Sequence, residues 1–277
     1  MRAVIALGVA TLALSSQPAF AEPFAEPETV EIETPDARQL PVRVWQPEEA
    51  PRGVVLFSHG FNSWPAAYEA LLAKLTGEGL AVVAPLHPDS MRSSLEGKIS
   101  PQQAFAARMI DMQLASDMVG ERFEGLPILA VGHSFGTLDA MVRAGGLPAL
   151  GAPTDEGVSA ILAFSTPGKI PGLIGDDAFS AVGLPTMLVT GDSDTVPGFV
   201  ADPADHRIYA ERVSGPSYLV SVEGGDHDLV GNDAIMAQVW PAVSGFIAVH
   251  LLDEAETPAL ARYALEKPST AQQGDAE

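Results

Sequence analysis

Cysteine is absent from the 277-residue chain, which excludes a disulfide framework, a thiolate nucleophile and thiolate ligation of zinc or an iron–sulfur cluster. Basic residues are scarce: 15 Lys+Arg stand against 36 Asp+Glu, a formal net charge of −21. That balance argues against a basic face for nucleic acid or an anionic membrane. No apolar run reaches the roughly 20 residues that a bilayer span needs, and no internal repeat is present. What remains is 47% hydrophobic and 18% charged, too apolar and too regularly patterned for a disordered chain. Its length suits one large domain or two small ones, with a core big enough to need no staples.

The start of the chain reads as an export signal. Arg2 precedes the apolar stretch Ala3 to Leu14, followed by Ser15, Ser16 and the small-residue stop Ala19-Phe20-Ala21. This pattern predicts a signal peptide over residues 1–21, cut after Ala21, and an exported, periplasmic or secreted product. The apolar run is too short for a membrane anchor. Without a cysteine at the cut, lipid attachment there is excluded. Residues 22–277 read as one domain, ending in a small, polar tail after about residue 267 that predicts disorder.

Two strand-like runs come first, Thr29 to Thr34 and Leu40 to Trp45, joined by the turn Pro35-Asp36-Ala37-Arg38. Val42 and Val44 share one face with Arg43 opposite, the alternation of a half-buried strand. From there, continuous apolar runs alternate with helix-period segments. Strands are expected at Val54–Phe57, Leu80–Ala84, Ile128–Val131, Ala160–Phe164, Thr186–Val189 and Tyr218–Val222. Helices are expected around Ala66–Leu75, Ala104–Val119, Leu138–Val142 and Ala234–Leu251. Uninterrupted apolar strands separated by helices specify an α/β chain with a mainly parallel sheet covered on both faces and antiparallel strands at one edge. The Gly- and Pro-rich segment Thr166–Leu184 reads as a loop or a minimal cap.

In such sheets reactive groups gather at the carboxyl ends of the strands. Directly after Ile128–Val131 stands Gly132-His133-Ser134-Phe135-Gly136, then a helical run. This is G-x-S-x-G in a strand–turn–helix setting, where the glycines allow a turn tight enough to expose the serine. Ser134 is the expected nucleophile, at a helix N-terminus that favours a developing anion. A serine needs a base, and the base needs an acid to orient it. Both occur later and after strands: Gly191-Asp192-Ser193-Asp194-Thr195-Val196-Pro197, then Gly224-Gly225-Asp226-His227-Asp228. His227 is the expected base. Asp194 is preferred as the acid, with Asp192 read as a turn-capping carboxylate.

The oxyanion hole is expected to use the backbone N–H of Phe135 and of Phe61, the latter in Ser58-His59-Gly60-Phe61-Asn62. Trp64 and His87 are candidate pocket-lining residues. His59 and His133 read as loop braces, His206 and His250 as surface or core residues. No His/Asp/Glu spacing suits zinc, and the Asp-rich stretches lack the glycine and glutamate of a calcium loop. No metal or organic cofactor is called for.

Several stretches resemble α/β-hydrolases, and within that superfamily the platelet-activating-factor acetylhydrolase and dienelactone-hydrolase-like esterases. These are Pro41-Val42-Arg43-Val44-Trp45-Gln46-Pro47, Leu56-Phe57-Ser58-His59-Gly60-Phe61, Leu86-His87-Pro88-Asp89 and the serine motif itself. Cutinase-type polyesterases share the same site plan. The resemblance implies an α/β-hydrolase fold with Ser134, Asp194 and His227 as a triad and Phe61 and Phe135 as oxyanion donors. No long insertion separates the strand ending at Phe164 from that starting at Thr186, so little or no lid is expected. A small-molecule or polymeric ester is the expected substrate. A lipid or polyester hydrolase, an acyltransferase, and a binding protein retaining the scaffold without turnover are the alternatives.

Overall fold

The structure, a computed structural model, describes residues 26–266 apart from residue 96. The expected signal peptide and C-terminal tail lie outside the described residues. Eight strands form one sheet: β1 (Glu28–Glu33), β2 (Gln39–Trp45), β3 (Gly53–Ser58), β4 (Leu80–Pro85), β5 (Ile128–His133), β6 (Val158–Phe164), β7 (Thr186–Gly191) and β8 (Ser217–Val222). The spatial order is β1-β2-β4-β3-β5-β6-β7-β8. The β1–β2 hairpin and the β2–β4 pairing are antiparallel, and the remaining pairings, from β4 through β8, are parallel.

Both faces of the central strands are apolar because both are covered. In β3, Val54 and Leu56 face one layer while Val55 and Phe57 face the other, and all four are fully buried. One layer holds α1 (Glu69–Gly77), through Leu71, Leu72 and Leu75. The opposite layer holds α2 (Pro101–Arg122), through Met112, Ala115 and Val119, and α3 (Phe135–Arg143), through Leu138 and Met141. After the four-residue α4 (Ile208–Glu211), the long α5 (Asp233–His250) returns to the first layer with Val243, Phe246 and Ile247, and α6 (Pro258–Ala261) packs beside it.

Helix α2 starts three residues earlier than its apolar period suggests. Ser100 and Gln103 form a reciprocal capping box, and Pro101 occupies the first turn, where its missing N–H costs nothing. Between β6 and β7, residues 165–185 contain turns but no helix or strand. The carboxyl ends of β3, β5, β7 and β8 therefore open at one edge of the fold without a helical cap from this segment.

Candidate active site

Strand β5 ends in the turn that carries Ser134. Its backbone sits at φ 53°, ψ −122°, a strained conformation for a residue with a side chain and the mark of a sharp strand-to-helix elbow. The flanking glycines are required by contact. A Cβ on Gly132 would lie 2.3 Å from the Gly136 carbonyl carbon, and one on Gly136 would lie 2.0 Å from the Ser58 carbonyl oxygen. Ser134 N–H donates to the Phe164 carbonyl at 3.0 Å, locking the elbow to β6. Thr137, in the first turn of α3, donates its hydroxyl back to the Gly132 carbonyl at 3.1 Å.

The loops after β7 and β8 converge on this serine. A Cβ at Gly191 would fall 1.9 Å from the Gly225 carbonyl oxygen, so the two loops touch backbone to backbone. That contact sets His227 between Ser134 and Asp194. His227 Nε2 lies 2.9 Å from Ser134 Oγ, and Nδ1 lies 2.7 Å from Asp194 Oδ1. His227 keeps 18% of its side-chain surface exposed, whereas Asp194 is fully buried. Burial alone would raise the Asp194 carboxyl. Hydrogen bonds from His206, His227 and the Thr190 hydroxyl outweigh it and hold the group well below the usual carboxylate range. Asp194 therefore stays ionised. Asp192 points elsewhere: it is exposed and accepts from Gly224 N–H at 2.8 Å and from Ser193 Oγ at 3.0 Å.

His206 belongs to this site, although nothing in its sequence neighbourhood says so. It is completely buried in the segment before α4. Its Nε2 lies 3.0 Å from both the carbonyl oxygen and Oδ1 of Asp194, and its Nδ1 lies 2.9 Å from Thr166 Oγ1. Asp194, His206 and His227 offer ligand atoms within 4.8 Å of one another; hydrogen bonding to the shared carboxylate accounts for that spacing.

His133, inside the serine motif, ties the Ser134 turn to the His227 loop. Its Nε2–H donates to the His227 carbonyl at 2.8 Å, so Nδ1 accepts from the Tyr68 hydroxyl at 2.9 Å. The same hydroxyl accepts Gly60 N–H at 3.0 Å. Burial pushes the His133 imidazole down to about 4, which keeps it neutral and preserves this tautomer.

The rings of Phe61 and Phe135 meet edge to face, with centroids 6.0 Å apart and planes at 89°. Gly60 lies beside Ser134: an added Cβ would be in ordinary contact with Ser134 Cβ at 3.5 Å but crowded by the Tyr68 oxygen at 3.0 Å and His133 Nδ1 at 3.2 Å. Trp64 is half-buried in the same loop, with the Arg92 guanidinium 4.8 Å from its ring centroid. His87 is not a pocket wall. It is fully buried behind the loop, with Nε2 3.0 Å from Ser58 Oγ, Nδ1 3.0 Å from Asp111 Oδ2, and its backbone N–H on His59 Nε2 at 3.1 Å. The correction has a simple cause: β4 ends at Pro85, and the chain then turns inward under β3 instead of toward solvent. His59 braces the loop as expected of a buried neutral imidazole, donating Nδ1–H to the Gly60 carbonyl at 2.8 Å.

Known proteins share parts of this arrangement. The family described as serine aminopeptidase, S33, matches residues 49–148, which contain β3 through α3. Monoglyceride lipase of Homo sapiens is 30% identical over 113 residues, 41% of this chain and 37% of that protein. Monoacylglycerol lipase of Mycolicibacterium smegmatis is 27% identical over 177 residues, covering 59% of this chain and 60% of that one. The chain thus spans less than two thirds of the length of either relative. Dienelactone hydrolase from Anabaena variabilis superposes with a TM-score of 0.58 at 20% identity, over 82% of this chain and 100% of the other. With the sheet order and the strand-to-helix serine turn, these likenesses lead to one conclusion: the chain has the α/β-hydrolase fold.

Proposed function

We propose that this chain is an exported serine hydrolase of carboxylic esters, working through an acyl-enzyme on Ser134. The observation that carries the reading is the continuous chain from Ser134 Oγ through His227 to the buried Asp194, with links of 2.9 and 2.7 Å. In this mechanism Ser134 Oγ attacks the ester carbonyl while His227 Nε2 takes its proton. Asp194 holds the imidazole tautomer and stabilises the imidazolium. The N–H groups of Phe61 and Phe135 receive the oxyanion. His227 then returns the proton to the leaving alcohol, and water repeats the cycle on the acyl-enzyme.

Substrate size follows from what stands around Ser134. The 165–185 segment supplies no helix to close over the serine, and Phe61, Met91 and Phe199 are exposed. Without such a helix, short acyl groups or bulky exposed esters are better suited than long chains that need an enclosed tunnel. The lipase names of the relatives keep monoacylglycerols among the substrates to be tried. The test is labelling with a fluorophosphonate probe, mapped by mass spectrometry, alongside a panel of short-acyl, monoacylglycerol, phospholipid and polyester substrates. Covalent modification at Ser134 and turnover of the short esters are expected. An unlabelled Ser134 with no ester turned over would refute the proposal.

A further inference from the structure

Arg108, on α2, heads the fully buried side chains by volume. Its Nε and Nη2 hold Oδ1 and Oδ2 of Asp89 at 2.8 Å each, and Nη1 holds Asp139 Oδ2 at 2.9 Å. Two carboxylates thus fix the guanidinium plane. The remaining N–H groups go to the backbone beside Ser134: Nη1 to the His59 carbonyl at 2.7 Å and Nη2 to the Gly60 carbonyl at 3.2 Å. Burial works against the charge on Arg108, but Asp139 and Asp89 outweigh it and keep the guanidinium protonated. A buried ion pair of this kind stabilises a fold no better than apolar side chains of the same volume. Stability alone therefore does not account for it.

The direction of the Gly60–Phe61 peptide does. A trans peptide points its N–H opposite to its C=O. Gly60 O is held by two donors, Arg108 Nη2–H and His59 Nδ1–H, so Phe61 N–H is aimed away from Arg108. Ser134 is the close neighbour of this loop, 3.5 Å from where a Gly60 Cβ would sit. Phe135, the residue carrying the second oxyanion donor, lies under the same guanidinium, with Arg108 Cζ 4.9 Å from its ring centroid. We propose that Arg108 is a positioning residue for the oxyanion hole: seated on Asp89 and Asp139, it fixes the Gly60–Phe61 peptide so that Phe61 N–H meets the developing negative charge. This rests on the ester-hydrolase reading above.

The experiment compares a p-nitrophenyl ester with its thionoester, whose carbonyl sulfur is a larger and weaker hydrogen-bond acceptor. An aligned oxyanion hole strongly favours the oxygen substrate; a misaligned one discriminates less. Arg108→Lys keeps a cation opposite Asp89 and Asp139, but one ammonium cannot serve both carboxylates and both carbonyls. The expected result is a fall in kcat for the oxoester of about 10²-fold, with KM within about threefold. The thionoester should lose much less, so the oxo/thiono ratio narrows. Arg38→Met is the structural control. It breaks another ion pair onto α2, between Arg38 Nη2 and Asp111 Oδ1 at 2.8 Å, without touching Gly60, and should lower Tm while leaving the ratio unmoved. If Arg108→Lys does not fold, Asp89→Asn loosens the guanidinium seat and is read by the same ratio. An oxo/thiono ratio unchanged from wild type in a folded Arg108→Lys or Asp89→Asn protein overturns the inference while leaving the esterase reading intact. A wild-type protein inactive on the oxoester overturns both.

Discussion

Oδ1 of Asp194 is shared by two imidazoles, with His227 Nδ1 at 2.7 Å and His206 Nε2 at 3.0 Å. The second contact reinforces the hold on this carboxylate, whose other oxygen accepts from Thr190 Oγ1 at 2.8 Å. His206→Ala removes that contact and leaves the buried Thr166 hydroxyl and Asp194 carbonyl short of a partner, at a cost of about 1–3 kcal/mol. Because His227 depends on that carboxylate for its orientation, kcat should fall by about ten- to a hundredfold with KM little changed. Steady-state kinetics with a thermal melt check both effects. Wild-type kcat in a destabilised variant would make His206 a packing residue only.

The parts of this site that were legible in the sequence are those built by local chain geometry. Fully buried strands read as apolar runs, and the three loops carrying Ser134, Asp194 and His227 each follow one. The glycines of the serine turn could be read because the backbone itself approaches within contact distance there. Arg108, Asp111 and His206 were not legible. A charged residue in a helix such as α2 looks like part of a solvated face, and only tertiary packing against Asp89, Asp139 and the β3 loop takes Arg108 inside. His206 precedes a four-residue helix and follows no strand, so nothing local links it to Asp194, which stands twelve positions earlier. His87 departs from its expected place for the same reason: the residues after a strand face the site in most of these loops, but after β4 His87 is buried against Ser58 and Asp111.

Glycine substitutions separate contact from flexibility. Gly136→Ala forces a Cβ to 2.0 Å from backbone, and the protein should fail to fold or lose more than about 4 kcal/mol. Gly120 is exposed in α2 with nothing within 4 Å of an added Cβ. Gly120→Ala should therefore stabilise by roughly 1 kcal/mol, a rise in Tm of about 2–4 °C. Thermal melts of the two variants test the pair; a well-folded Gly136→Ala would contradict the elbow geometry.

His133 gives the fold an acid sensitivity of definite sign. Burial holds its imidazole at about 4 against an ordinary 6.5, so between those values the unfolded chain binds a proton that the folded chain does not. The contribution to stability is fully present above 6.5 and is lost as pH falls toward 4; it is on the order of 3 kcal/mol. The lowered His59 and His87 act in the same direction, whereas Asp111 and Asp139, each pushed up to about 6 by burial, oppose it. His133→Gln isolates its share: the urea midpoint should change less between about pH 7 and about pH 4.5 than in wild type. Equal changes in the two proteins would contradict the assignment.

Chain-length preference tests the effect of a 165–185 segment without a helix. Acetyl to butyryl p-nitrophenyl esters should turn over faster than the decanoyl ester, because the 165–185 segment offers no helix to enclose a long chain. A decanoyl preference would show that another part of the molecule builds an acyl tunnel.

The central claim is that Ser134 is the nucleophile, and the turnover of p-nitrophenyl butyrate by Ser134→Ala tests it most directly. The folded variant should lose about 10⁶-fold in kcat, which is loss of measurable activity. Turnover within a few-fold of wild type, in a preparation free of contaminating esterase, would contradict the account.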